Sequence, residues 1–203
     1  SSIGVRASSA EIINSGYATA LLLRRRYGGG VAYVVGEDGL VEELRGQGIE
    51  VLQEEYPDRN PDFVVVGMDR RVTYRKIAFA AKAVREGALF VATNPDRNFP
   101  TEEGLMPGAG SMVAAIAAAA GKGPDFIVGK PSRLIFDVAT EALGLKRSEI
   151  LVIGDRLDTD VTGAYRAGMD SLLVLTGVAS VEDVRRARIK PNYVVRSLME
   201  LFE

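Results

Sequence analysis

The chain has 203 residues, 47% hydrophobic and 26% charged, a composition that excludes disorder and fibrous structure and predicts one large globular domain or two small ones. Its 25 basic and 27 acidic residues leave a net charge of −2, so there is no electrostatic footprint for a phosphate backbone and no nucleic-acid partner is expected. With no Cys and no His, disulfides, thiolate sites, Ser-His-Asp triads and zinc-histidine clusters are excluded, and any chemistry falls to carboxylates, lysine, hydroxyls and bound ions.

The longest small-apolar run, Met112 to Ala120, is too short to cross a bilayer, and no charged-then-apolar leader opens the chain. The expectation is a cytoplasmic protein without a membrane partner.

Short β-branched runs alternate with helical stretches, which predicts an α/β fold built on a parallel sheet. In chain order the strands are expected at Val31–Gly36, Phe63–Gly67, Leu89–Thr93, Phe126–Gly129, Ile150–Gly154 and Ser171–Leu175, with Tyr193–Val195 a weaker one. Thr73-Tyr74 opens a helix in which Ile77, Ala81 and Val84 recur at helical spacing before Gly87 ends it. Gly110–Ala120 reads as a closely packed small-residue helix, and Pro131–Leu143 as an amphipathic one with proline in its first turn. Glu54–Pro61 is a loop, and Gly28-Gly29-Gly30 is the most hinge-like segment.

Two features carry chemistry. Ile150–Asp160 delivers Asp155 at the carboxyl end of a buried strand, with Asp158 and Asp160 in the next turn. Ligands bind at such ends, and hard carboxylate oxygens suit Mg²⁺. The competing reading is helix capping by Asp158 or Thr159. Phe126–Ser132 again runs strand, glycine, helix, and places the Lys130 ammonium after Gly129 at a helix start, where an anion is attracted twice over. Because Lys130 and Asp155 follow successive strands, their tips are expected to converge. Thr93-Asn94-Pro95-Asp96 is either a substrate-reading loop or an Asn-Pro-Asp turn, and the turn is favoured.

Gly129-Lys130-Pro131, Gly154–Asp160, Leu175-Thr176-Gly177-Val178, Val66–Asp69 and Ala92–Asp96 together resemble the haloacid dehalogenase superfamily, in its NagD-type branch of p-nitrophenyl, phosphoglycolate and pyridoxal phosphate phosphatases. The resemblance implies a Rossmann-like core interrupted by an α/β cap, and a magnesium-dependent phosphomonoesterase acting on a small phosphorylated substrate. It implies that Lys130 steadies the phosphoryl group, that Asp155 ligates Mg²⁺ and that Asp160 orients the metal's waters. The resemblance further implies that Gly129 takes part in substrate binding and that the cap loop Asn94–Phe99, with Asn94, Asp96 and Phe99, faces the substrate and tunes the leaving group. A homodimer through the cap is also implied.

The expected division is core at 1–27 and 127–203, with the cap at 28–126. The family's Asp-x-Asp-Gly nucleophile motif and the Thr or Ser motif after it do not occur in these 203 residues, and residues 1–15 resemble the segment that follows them. The expectation is an incomplete core with an uncovered sheet edge, and negligible turnover by the chain as written. The rival is a non-catalytic module that binds a phosphorylated ligand or a partner protein.

Overall fold

A computed structural model describes residue 8 and residues 11–202 of the chain. Most of the segment 1–15 therefore lies outside the described residues. The chain divides into two compact units, Ser1–Gly129 and Lys130–Glu203.

The first unit is built on a five-stranded parallel sheet. Its strands are β1 (Val31–Val35), β2 (Glu50–Leu52), β3 (Phe63–Val66), β4 (Leu89–Ala92) and, after an antiparallel hairpin, β7 (Phe126–Ile127), in the order β2-β1-β3-β4-β7. All four residues of β3 are buried, as expected where helices cover both faces of a parallel sheet and the strand reads as an unbroken apolar run. One face carries Tyr33, Val35, Val64, Val66, Phe90 and Ala92. It packs against α3 (Tyr74–Arg85) and α4 (Ala109–Ala120) through Phe79, Ala80, Val84, Val113 and Ile116. Thr73 caps α3, its hydroxyl accepting from the Lys76 N–H. Gly121 closes α4 with φ 76°, the left-handed position that glycine adopts without a Cβ penalty.

The hairpin is β5 (Asn98–Thr101) with β6 (Gly104–Pro107). Helix α1 (Ser15–Tyr27), capped by the Asn14 side chain, packs on α2 (Asp38–Gly46), and the Tyr27 ring lies 5.4 Å from that of Phe63. The sequence division at 27/28 puts this helix with the core. In the structure its buried face, Ala18, Ala20 and Leu23, places it in the first unit.

The second unit is a three-stranded parallel sheet in the order β10-β9-β8, formed by β8 (Leu151–Gly154), β9 (Asp170–Val174) and β10 (Tyr193–Val195). Helix α5 (Arg133–Leu143) packs on α6 (Thr162–Ala167), where Phe136 meets Ala164, Ala167 and Met169. A short α7 (Val181–Arg186) follows, with a capping box between Ser180 and Asp183. Strand β8 is an edge strand, and its Leu151 and Ile153 are 43% and 46% exposed.

Candidate active site

The second unit holds Lys130, Asp155, Asp158 and Asp160, the charged residues of the two strand-end features. Strand β8 ends at Gly154, and the next residues, Leu157–Val161, form a single turn of π-helix before α6 begins. Such wide turns occur preferentially at functional sites. The turn brings Asp160 back under the end of β8. A Cβ at Gly154 would lie 2.6 Å from Asp160 Oδ2, so only glycine leaves room for that carboxylate.

Asp160 is buried and fully engaged. Lys130 Nζ donates to its Oδ1 at 2.7 Å, and the Arg156 N–H donates to its Oδ2 at 3.2 Å. The side chain of Asp160 is 9% exposed and that of Lys130 47%, so the lysine side chain is half open to solvent while its partner is not. Lys130 stands two residues before Ser132, whose hydroxyl accepts from the Leu134 N–H as the N-cap of α5. A positive side chain beside the positive end of an eleven-residue helix is a receptive setting for an anion.

Asp155 lies at the β8 exit. Its Oδ2 accepts from the Val178 N–H at 2.9 Å, and its backbone carbonyl accepts from the Ala179 N–H at 3.1 Å. Oδ1 has no hydrogen bond among the described residues.

The sequence places Lys130 beside Asp155 because the two follow successive strands. The ammonium is bonded to Asp160, five residues beyond Asp155 in the same strand-end segment. Capping by Asp158 or Thr159 differs from what is observed, since neither the π-turn nor α6 carries a side-chain cap. Asp158 takes a two-pronged bond from Arg156, at 3.0 and 2.7 Å, and this guanidinium holds its carboxyl below the usual range.

The remaining predicted residues belong to the first unit. Asn94 Oδ1 accepts from the Asp96 N–H at 3.1 Å, the Asx turn that the Asn-Pro-Asp run suggests. Gly129 donates its N–H to the Thr93 carbonyl at 2.7 Å and has no room for a Cβ against Asn94. Phe99 is half-buried on β5. Gly108 and Gly110 donate their N–H groups to the Arg97 and Asp96 carbonyls, both at 2.8 Å, which pins the loop to the start of α4.

No three acidic side chains cluster as a metal site among the described residues. Magnesium keeps several waters and is commonly held by one or two carboxylates plus substrate phosphate. Asp155, whose Oδ1 has no hydrogen bond among the described residues, and Asp160, folded against the strand end, fit that requirement in donor type.

The comparisons agree on the class. Residues 127–201 match the family described as HAD-hydrolase-like, and residues 1–50 match the haloacid dehalogenase-like hydrolases. The chain belongs to the haloacid dehalogenase superfamily, in its NagD-type phosphatase branch.

Among individual relatives, it is 38% identical over 196 residues to the acid sugar phosphatase of Staphylococcus aureus, covering 97% of this chain and 74% of that one. It matches the structure of a p-nitrophenyl phosphatase from Archaeoglobus fulgidus with a TM-score of 0.90 at 36% identity, over 98% of this chain and 77% of that one. A 4-nitrophenylphosphatase from Thermotoga maritima matches with a TM-score of 0.84 at 41% identity, over 92% and 70%.

No described helix is long and apolar enough to cross a membrane.

Proposed function

We propose that this chain carries the phosphoryl- and magnesium-binding machinery of a phosphomonoester hydrolase acting on small, p-nitrophenyl phosphate-like esters, and that these 203 residues do not turn them over by themselves because no Asp-x-Asp-Gly nucleophile is among them. The observation that carries the reading is the grouping, within one compact unit, of the Lys130–Asp160 pair and of Asp155 at the exit of β8.

In this reading Lys130 binds the phosphoryl oxygens. Its half-exposed side chain reaches an anion without leaving Asp160, which holds the amine in place. Fixed charge aimed at a developing oxyanion is the main source of rate in phosphoryl transfer. Asp155, with Oδ2 held by Val178, and Asp160 would hold Mg²⁺ and its waters. The bound ion would supply Lewis-acid polarisation of the phosphoryl group. Asp160 keeps its two oxygens oriented through Lys130 and the Arg156 amide, so neither carboxylate has to reorganise when substrate arrives.

The first unit is the cap in this reading and takes in α1. Residues 130–203 belong to the core. The loop Asn94–Phe99, whose Asp96 and Arg97 carbonyls accept from the Gly110 and Gly108 N–H groups, would set the choice of leaving group. The exposed Leu105 and Met106 of the hairpin are a surface suited to a homodimer through the cap, and a cytoplasmic location accords with a chain without cysteine.

The test combines binding and turnover. Orthophosphate with magnesium should raise the melting temperature of the wild-type chain and not that of Lys130→Ala. Protection that survives the loss of Lys130 overturns the assignment. Magnesium-dependent release of p-nitrophenol once a segment bearing the Asp-x-Asp-Gly motif is supplied supports a hydrolase, whereas Lys130-dependent protection with no release even then supports a non-catalytic phosphate-binding module.

A further inference from the structure

The segment Gly177-Val178-Ala179 follows β9, and its glycine has no role in the proposed function. It touches Asp155 at two points. The Val178 N–H donates to Oδ2 at 2.9 Å, and the Ala179 N–H donates to the Asp155 carbonyl at 3.1 Å. The Ala179 side chain is buried against Val161 and Leu173, which ties the segment into the packed interior just beyond Asp160. The Val178 side chain is 73% exposed, so its contribution is its backbone alone.

Gly177 is what lets the segment come so close. A methyl group there would lie 2.5 Å from Asp155 Cβ and 2.6 Å from Cγ. Real Cβ atoms do not approach other atoms to that degree, and aspartate is too short, and too firmly hydrogen-bonded at both its carbonyl and Oδ2, to swing aside without breaking those bonds. The backbone of Gly177 needs no left-handed angle; its requirement is space.

We infer that Gly177 is a positioning residue for Asp155: the missing side chain admits the Val178 amide to Oδ2, which fixes the carboxylate's rotation and presents Oδ1 alone to a bound cation. This inference rests on the magnesium reading for its consequence, although the clasp itself does not. Partners of a metal-bound carboxylate act by orienting it, and their loss commonly weakens metal binding 10- to 100-fold.

The experiment uses the 203-residue chain, Gly177→Ala and Val178→Ala, with two readouts that need no turnover. Amide hydrogen exchange at Val178 reports the clasp without metal, and calorimetric titration with magnesium reports its consequence. Gly177→Ala is expected to speed Val178 exchange at least about tenfold and to weaken magnesium about 10- to 100-fold. Val178→Ala keeps the N–H and should change neither. Unchanged exchange and unchanged affinity in Gly177→Ala overturn the inference, as does an equal loss in Val178→Ala. A wild-type chain that binds no magnesium, with Gly177→Ala still freeing the Val178 amide, sinks the metal reading and upholds the positioning of Asp155. If Gly177→Ala does not fold, Asp155→Ala removes the acceptor from the other side; a Val178 amide that stays protected there overturns the inference.

Discussion

Lys130 and Asp160 are thirty residues apart in sequence and 2.7 Å apart in space, and the pair is lopsided: the carboxylate is buried and the lysine side chain half open. Removing the lysine strands Asp160 Oδ1 without its cation, while Asp160→Asn leaves Lys130 able to turn to solvent. Solvent screening of the ammonium keeps the coupling small, about 0.5–1 kcal/mol. Urea denaturation of Lys130→Ala, Asp160→Asn and the double variant should show the lysine change costing more in the wild-type chain than in the chain that already carries Asp160→Asn. Equal costs in the two backgrounds would mean that the pair contributes nothing.

Gly163 in α6 faces the Phe136 ring of α5, and a Cβ there would lie 2.7 Å from the ring's Cζ. Helix propensity alone favours alanine over glycine by about 1 kcal/mol. Overpacking against an aromatic ring works the other way, by about 1–3 kcal/mol. The expected outcome for Gly163→Ala is therefore a net loss of stability, read as a lower denaturation midpoint, and Phe136→Leu in the same chain should recover part of it.

Glu37 accepts two bonds from the Arg70 guanidinium, at 2.6 and 2.8 Å, and a third from the Arg70 N–H at 3.1 Å. The guanidinium lowers the Glu37 carboxyl from 4.5 to about 2. A folded-state value below the unfolded one means that the unfolded chain takes up the proton first. The stabilisation is thus present in full above pH 4.5 and is lost as pH falls toward 2. Melting temperatures of wild type and Arg70→Ala should differ at about pH 6 and converge progressively below the unfolded value. A gap that stays constant throughout the acid range would rule the linkage out.

Tyr33 is buried in the first unit's core, its ring 4.6 Å from that of Phe79, and its hydroxyl has no hydrogen-bond partner among the described residues. Burial pushes this phenol up to about 12. A buried hydroxyl without a partner carries its desolvation cost uncompensated. Tyr33→Phe should leave stability unchanged or raise it by about 1 kcal/mol, with the ring contact to Phe79 retained. A clear loss of stability in thermal denaturation would show that the hydroxyl is satisfied in solution.

The main strands were readable because a parallel sheet covered on both faces needs unbroken apolar runs. Val31–Val35, Phe63–Val66 and Leu89–Ala92 fall within a residue or so of the expected spans. Helix α1 is not legible in the sequence. Arg24, Arg25 and Arg26 follow directly on Leu21–Leu23, which blurs the apolar stripe, although Asn14 and Gly28 bracket it as an N-cap and a left-handed C-terminal glycine. The hairpin carries Pro100 and Pro107 and is largely exposed, so no alternation marked it.

Within the site, Lys130, Asp155 and Asp160 stood out by residue type and spacing. The partner chosen by Lys130 did not, because it depends on which strands pair and on an i to i−5 turn that no residue type announces. Gly177 was visible in the sequence as part of a motif; its reason became visible only once Asp155 had a position.

The wide turn at Leu157–Val161 has a bearing on how this site tolerates change in length. Deleting one residue there would give the backbone an ordinary helix and a more regular ladder, yet it would rotate everything beyond by about 100°. Asp160 would swing off Lys130. The irregular spacing is the gauge that sets the acid's bearing, and a shorter, tidier chain would be a blind one.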